Sequence, residues 1–570
     1  MPDLKPATLS LIAFFLILLA CSSPKSMEPR NAENILINQV GYAPQAAKYA
    51  LLRVNTDHFT ICTTEGKEVF SSVPGAWKHW ELSGDSVCIA DFSELTEPGE
   101  YMLCVNDTLR SYPFKIGANI LKNLADASLK SYYYARCGVD IDPVYGGQWH
   151  WKAGHPDTTV MVHESAADKN RPAGTIISSP GGWYDAGDYG KYVVNSGITT
   201  FTLLLSTQVN KDYHTAQDLN IPESDNELPD ILDETLVNLR WMLTMQDPND
   251  GGVYHKLTTK NFDDFIPPDK TTAQRYVVQK STSAALDFAA TMAAAARILE
   301  NYGLIELAQK AMLSAENAWD WALLHPDVFY HQPNDISTGA YGDTSFVDEW
   351  FWAASEMYVN TGKNQFLEKM KENYKKPVTP KWNVVNTLGV ISVLTSDKRA
   401  EFPDMEKDFL AHVDYLLNKE QQSPYVVSID KFAWGSNSDV ANDGMLKLIA
   451  YQLTGEEKYV ASSRNDLDYI LGRNATGYCF VTGFGTKSTR HPHNRIMASD
   501  GVDDPVPGYL AGGPNIWVMN DCDPKQVERS PFPAASYIDE QCSYSTNETA
   551  INWNAPLVFL VSGLDEINSK

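Results

Sequence analysis

The sequence predicts two domains of different class: a small all-β sandwich over residues 35–117 and an all-α domain of paired helix hairpins over residues 118–570. Three observations carry that prediction. The chain has 570 residues, too many for one module at roughly 100 to 200 residues per domain. Up to about residue 116, apolar residues recur in short alternating runs at 35–37, 48–54, 59–63, 87–89 and 101–105. Turn pairs such as Glu65-Gly66 and Pro98-Gly99 separate them, as expected of strands with one buried face. From Ala118 onward the apolar period becomes that of a helix.

Ahead of the sandwich, Lys5 precedes an uninterrupted apolar run over residues 11–20, the length of a signal-peptide core and too short to span a bilayer. The run closes on Leu18-Leu19-Ala20-Cys21, which looks like the box of bacterial lipoproteins. Residues 1–20 are therefore expected to be a lipoprotein signal peptide, with Cys21 lipidated as the new N-terminus. Residues 21–34, with little apolar content, read as a tether. The expectation is an exported protein held by its lipid to a bacterial membrane, the outer one, on its periplasmic or cell-surface face. Beyond Cys21 no apolar stretch reaches the length of a membrane span. The remaining cysteines, Cys62, Cys88, Cys104, Cys137, Cys479, Cys522 and Cys542, are odd in number and form no CxxC pair, so disulfides are permitted but at least one thiol is left over.

In the second domain helical periodicity marks segments at 119–136, 190–207, 228–246, 282–301, 304–323, 347–360, 364–373, 384–395, 404–418, 439–453, 457–471 and 548–564. About twelve helices with almost no strand between them predict antiparallel hairpins. Long irregular stretches at 138–188, 250–280 and 473–547 interrupt them, and loops of this length in a compact domain are usually functional. Composition narrows the function classes. Charged residues are 21% and hydrophobic ones 43% of the chain, which excludes general disorder. The 46 Lys and Arg against 72 Asp and Glu give a net charge of −26, a field that repels nucleic acid and favours a neutral ligand. Aromatic side chains, 11% of the residues, supply flat apolar faces of the kind that stack on sugars, although core packing takes most of them.

Two carboxylate clusters lie in or beside the long loops. In Gly181-Gly182-Trp183-Tyr184-Asp185-Ala186-Gly187-Asp188-Tyr189-Gly190, two Asp three apart lie just before a helix. The turn lets both converge on a water or a cation, one accepting a proton while the other orients the water and raises its neighbour's pKa by repulsion; helix capping is the plainer reading. Farther on, Tyr537-Ile538-Asp539-Glu540 precedes Tyr544-Ser545-Thr546-Asn547-Glu548. Glu548 is expected at a helix N-terminus, where the dipole favours the anion while Tyr544 and Trp553 favour the neutral acid. Between the clusters, Thr489-Arg490-His491-Pro492-His493-Asn494-Arg495 is rich in donors that suit hydroxyl groups; a metal site through its two His lacks Cys or carboxylate companions.

Tyr537, Asp539, Tyr544, Glu548, Ala550, Asn554 and Ala555 fall at the spacings of the C-terminal signature of glycoside hydrolase family 9, the inverting endoglucanases, which the chain resembles. Lys487, Pro492, His493 and Arg495 resemble the family's active-site His signature, with Cys479 where Ser, Thr or Val is usual. The Asp185-Ala186-Gly187-Asp188 turn resembles its base turn, and Asn38-Gln39-Val40-Gly41-Tyr42 the opening of the immunoglobulin-like domain found in one subgroup. The resemblance implies an (α/α)6 barrel after an immunoglobulin-like sandwich, and an endo-acting hydrolase of β-1,4-glucosidic bonds in soluble β-glucans such as xyloglucan, mixed-linkage glucan or amorphous cellulose. It implies Asp188 as general base, Asp185 as its helper on the water, Glu548 as general acid, His493 and Arg495 as sugar contacts, and Asp539 as support for the acid loop. Trp553 and His255 are further candidates for sugar contacts. A non-catalytic, lipid-anchored glycan-binding protein is the alternative, and it predicts loss of an acid or base that this sequence keeps.

The resemblance bears on metals as well. Members of the subgroup hold a structural zinc through two Cys and two His; here Cys137 and His155 remain, while Gly154 and Tyr184 replace the other two. Two ligands cannot close a tetrahedral site, so zinc is not expected. Thr344, Asp348 and Glu349 resemble part of a family calcium site, and they also read as acidic residues at a helix N-terminus. No cofactor is required for the implied chemistry.

Overall fold

The structure, a computed structural model, describes residues 27–569 apart from 107, 524 and 526. The signal peptide, Cys21 and most of the tether lie outside the described residues. The N-terminal domain is a sandwich of two sheets. One has the order Ile35–Leu36, Tyr49–Leu52, Asp85–Asp91, Lys78–Trp80; the other has the order Gly41–Tyr42, Phe114–Ile116, Gly99–Val105, Phe59–Thr63, Glu68–Ser72, with Leu109–Arg110 also pairing Gly99–Val105. Register Ile61↔Leu103 and Leu52↔Cys88 points Phe59, Ile61, Leu52 and Leu103 into a common core with Phe92 and Phe114. Neighbouring side chains of a strand face opposite ways, so Leu51 leaves that core and joins the apolar cluster of the second domain.

That second contact makes the sandwich part of the barrel's wall. Trp80 lies 4.6 Å from the ring of Tyr425, and the Tyr425 hydroxyl donates to Asp85, which also pairs with Arg53 at 2.6 Å. Asn38 donates to the buried Asp468 at 2.7 Å. An apolar contact ringed by satisfied polar pairs is what a permanent interface needs.

Among the described residues the second domain has twelve helices of nine or more residues: α1 (Lys122–Tyr134), α2 (Val193–Val209), α3 (Asp230–Thr244), α4 (Thr282–Asn301), α5 (Ile305–Leu324), α6 (Val347–Thr361), α7 (Asn364–Asn373), α8 (Asn386–Leu394), α9 (Pro403–Gln422), α10 (Ser436–Thr454), α11 (Glu457–Ile470) and α12 (Ile551–Ser569). The even-numbered helices form the inner ring and the odd-numbered ones the outer, an (α/α)6 barrel. Sequence explains the sorting. Inner α2, α4 and α8 are buried on almost every face, as helices apolar all round must be. Outer α7 and α9 bury only a stripe. Ala-rich α4, with Ala289, Ala290, Ala293, Ala294 and Ala295 fully buried, lets α5 and α6 approach closely.

Two expectations change. The long loops are not free of strand: Ile176–Ile177, Val160–Val162, Tyr276–Val277, Lys256–Thr258 and Lys191–Tyr192 form a five-stranded sheet in that order. Strands of two or three residues are too short to leave a period in the sequence. The last helix begins at Ile551, not at 548, because residues 548 and 549 bridge to His493 and Ala511. Of the cysteines, Cys522 and Cys542 form a disulfide.

Candidate active site

The 181–190 turn is built for close approach. Gly182 has φ +79, and a Cβ there would come within 2.7 Å of the Trp241 ring; one on Gly187 would overlap the His493 carbonyl at 2.1 Å. Glycine is therefore the residue that lets the turn lie against both the barrel and the histidine loop. Asp185 is buried, with its carbonyl accepting from the Ile551 amide at the start of α12. The Asn195 amide, in the first turn of α2, donates to both carboxyl oxygens at 3.0 and 2.9 Å, and the Tyr341 hydroxyl donates to Oδ2 at 3.1 Å. Burial, then the charge of Asp188, pushes the Asp185 carboxyl up to about 8, against those hydrogen bonds. Asp188 accepts from the Gly190 amide at 3.0 Å and the Tyr192 hydroxyl at 2.8 Å, both at Oδ2. Among the described residues no donor engages its Oδ1. Asp185, raised to about 8, carries a proton at neutral pH.

Glu548 follows the short turn Tyr544–Asn547 in extended conformation. Its backbone pairs with His493, and its carbonyl accepts from the Gly512 amide at 2.8 Å. Desolvation is the largest effect on its carboxyl although the residue is only partly buried; the charge of Asp188 adds to it. Together they hold the group well above the carboxylate range, opposed by the Gly187 amide and Arg495. Of the two influences expected on Glu548, desolvation prevails. The site therefore joins a carboxyl held well above the usual range, Glu548, to one held by hydrogen bonds at a single oxygen, Asp188.

His493 donates from Nδ1 to the Gln541 carbonyl at 2.6 Å, which leaves Nε2 as the acceptor of a neutral ring. Burial lowers its pKa and keeps it neutral. Phe265 and Tyr544 flank it edge-on at 5.2 and 5.9 Å. Asp539 accepts from the backbone amides of Arg490 and His491, both at 2.9 Å, and from Asn547 at 3.1 Å, so it ties the histidine loop to the acid loop. Arg495 is committed to carbonyls: its Nη1 donates to Gly187 at 2.7 Å and its Nε to Asp263 at 2.7 Å, with Phe262 and Phe265 against the guanidinium. It braces the turn that carries Asp188.

Trp553 is half-buried, its ring against Gly435 and Gly512. Beside it Trp434, 40% exposed, lies 5.4 Å from Tyr544, so this wall presents apolar faces. His255 corrects an expectation. It is fully buried, with Nδ1 to Ser281 Oγ at 2.8 Å, Nε2 to the Ala340 carbonyl at 3.0 Å and its ring stacked on Tyr330 at 4.0 Å; no part of it reaches a sugar. Sequence reasoning missed Tyr192, Asn195 and Tyr341. Tyr192 was findable, four residues after Asp188, whereas Tyr341 arrives from 156 residues away with φ +50.

Where the resemblance places zinc, the donors already have protein partners. His155 bonds Tyr184 at 2.9 Å and Thr271 at 2.7 Å, and the Cys137 thiol donates to the His155 carbonyl at 3.4 Å. A Cβ at Gly154 would meet the Pro268 carbonyl at 2.0 Å. Positive charge comes instead from Arg275 and Lys191, paired with buried Asp157 at 3.1 and 2.7 Å. Burial works against the Asp157 anion, yet the two cations hold it down to about 2.

The acids near the calcium resemblance are different: Asp287 of α4 and Glu349 of α6 are buried, and among the described residues Asp287 Oδ1 and Oδ2 and Glu349 Oε2 have no hydrogen-bond partner. Asp348 and Asp343 stand near enough to repel them, and burial, then that repulsion, raises both groups well above the carboxylate range. Orphaned carboxylate oxygens on two buried acids are of the kind a hard divalent cation takes. The other acidic group, Asp168, Asp247 and Asp250, is filled by Lys280, within 2.8 Å of Asp247 and Asp250.

Comparison with known proteins shows the family. Residues 122–561 match glycosyl hydrolase family 9, and residues 30–109 match the cellulase N-terminal ig-like domain. A xyloglucan-specific endo-beta-1,4-glucanase of Bacteroides ovatus is 44% identical over 98% of each chain. Endoglucanase D of Acetivibrio thermocellus is 32% identical over 94% of this chain and 84% of its own. The solved structure of a Bacteroides ovatus family 9 protein superposes with a TM-score of 0.88 at 43% identity, covering 94% of this chain and all of its own. The chain, matched over both its sandwich and its barrel, belongs to glycosyl hydrolase family 9.

Proposed function

We propose that this protein is an endo-acting β-1,4-glucanase that cleaves soluble, branched glucans of the xyloglucan type with inversion of configuration. The observation that carries the mechanism is the unequal surroundings of the two carboxyl groups. Glu548, kept neutral by burial and by the charge of Asp188, protonates the glycosidic oxygen. Asp188, with Oδ2 held by Tyr192 and Gly190, takes a proton from the attacking water through Oδ1. An inverting hydrolase needs that division, with about 6.5 to 9.5 Å between the carboxyls for the water. Asp185, neutral and fixed by Asn195 and Tyr341, keeps the turn in place without competing for the proton. His493 accepts a sugar hydroxyl at Nε2. Trp434, Tyr544 and Trp553 offer apolar faces to the pyranose rings.

The substrate class rests on the Bacteroides ovatus relative, whose similarity extends over both chains nearly end to end. Internal cleavage rests on the same relative, named an endo-beta-1,4-glucanase. Asp287, Asp343, Asp348 and Glu349 would hold a structural calcium, which supplies charge neutralisation between α4 and α6 and takes no part in the reaction. Cys21 would tether the enzyme to the membrane through its lipid. The test is product profiling on xyloglucan, mixed-linkage glucan, carboxymethylcellulose and crystalline cellulose, followed by NMR of the first-formed anomer. Oligosaccharides of several repeat units with the α-anomer first are expected. Release of single sugars only, a faster rate on crystalline cellulose, or the β-anomer first overturns the proposal.

A further inference from the structure

Lys256 opens the strand Lys256–Thr258, which pairs with Lys191–Tyr192 on one side and Tyr276–Val277 on the other. The side chain is fully buried. Its ammonium donates only to neutral oxygens: the Gly339 carbonyl at 2.5 Å, Gln332 Oε1 and Thr338 Oγ1 at 3.1 Å, and the Thr338 carbonyl at 3.5 Å. Among the described residues no carboxylate forms a salt bridge with it. A lysine in such a place is costly, and the cost calls for a reason.

Two contacts supply one. The ammonium lies 5.5 Å from the centre of the Tyr192 ring, a cation–π distance, and the Tyr192 hydroxyl donates to Asp188. The segment it grips, 338–339, leads two residues later into Tyr341, whose hydroxyl donates to Asp185. His255, next to Lys256 in the chain, holds the Ala340 carbonyl between them. Tyr341 sits at φ +50, a conformation a bulky residue keeps only when its surroundings impose it. One strand end thus fixes both phenols that hold the carboxyl pair.

We propose that Lys256 is a positioning residue of the hydrolytic site, one that sets Tyr192 and Tyr341 on the two carboxyls and lends Asp188 a buried positive charge. This rests on the reading of Asp188 as the base. Burial draws the Lys256 ammonium down to about 7, with Asp188 working against that shift, so the cation is present through the acidic range in which the base must ionise. The other titratable groups around it are Tyr192, Tyr330 and His255. Burial raises both phenols and draws His255 down to about 3, so none of the three changes charge from about pH 4 to 8.

The experiment compares Lys256→Met, Lys256→Gln and Lys256→Arg in the full chain on xyloglucan, with Asp188→Asn as reference and melting temperature as the control for folding. Lys256→Met is expected to lower kcat about 100-fold, the scale of a misplacement of about 1 Å in a catalytic group, with KM changed less than about threefold. The acidic limb of its kcat/KM profile moves up by roughly half a unit or more, because the base loses a neighbouring cation. Lys256→Gln shows the same displaced limb with a smaller fall in kcat, and Lys256→Arg restores the limb. A folded Lys256→Met or Lys256→Gln protein with an unmoved acidic limb overturns the proposal. So does failure of both to fold, which would make Lys256 a structural residue. Near-normal turnover of Asp188→Asn would instead sink the reading of the base.

Discussion

Replacing Glu548 by Gln tests the division of labour between the two carboxyl groups. The change is nearly isosteric, and the backbone contacts that set residue 548, to His493 and Gly512, do not involve the side chain. Folding should be untouched. An amide cannot deliver a proton, and loss of general acid catalysis costs about 10² to 10⁴ in kcat, equivalent to about 2.7 to 5.5 kcal/mol of barrier. The structure sets where in pH this appears. Burial and the charge of Asp188 hold Glu548 well above the carboxylate range, so the wild-type acid is loaded at neutral pH and the full loss is measured there. It also sets what the loss depends on. A dinitrophenyl cellobioside, whose leaving group departs without a proton, should lose less than about tenfold in Glu548→Gln. Asp188→Asn, which removes the base for the water, should fail on both substrates. Steady-state rates on xyloglucan and on the aryl glycoside read the difference. Equal losses on the two substrates, or near-normal turnover on the polysaccharide, would refute the assignment.

Three further outcomes are expected. Asp287 and Glu349 have folded pKa values raised by burial and then by repulsion. The stability they contribute is therefore complete below about pH 4 and falls as pH rises toward their folded values; scanning calorimetry of calcium-free protein should show a lower Tm at pH 8 than at pH 5, and added calcium should abolish the drop. Arg275→Ala should cost about 3 kcal/mol, the low end for breaking a buried pair, because Lys191 still faces Asp157; a loss below about 1 kcal/mol in urea unfolding would mean the cations do not hold that region. Trp80→Ala, removing a buried ring from the Tyr425 contact, should cost about 3 kcal/mol and make the sandwich and barrel melt separately, and a single unchanged transition would deny the sandwich its structural role.

What was legible in the sequence follows from the range of the forces involved. Each long helix has a counterpart in the periodicity because burial of a face or a whole helix is written within a few turns, as in α2 or α7. α12 starts three residues after the predicted position because the pairing of 548 and 549 with residues 493 and 511 leaves no trace in the local pattern. The expectation for His255 fails for the same reason. A glycine-rich loop histidine looks alike whether it meets a sugar or is satisfied by Ser281 and by Ala340, 85 residues away.

Protonation state is the least local property of all, and the carboxyl trio shows why family motifs cannot supply it. Asp185 and Asp188 are three residues apart in one turn, yet only Asp185 is buried to the point of holding its proton to about 8. The difference lies in what surrounds each: Asn195 and Tyr341 bond both oxygens of Asp185, while Tyr192 and Gly190 bond only Oδ2 of Asp188. Tyr341 comes from the segment before α6, Asn195 from α2, and Glu548 from the approach to α12. All three helices belong to the inner ring, so closing the barrel brings their leading segments together. A motif names which groups can titrate; the closed ring of inner helices decides which of them is the acid.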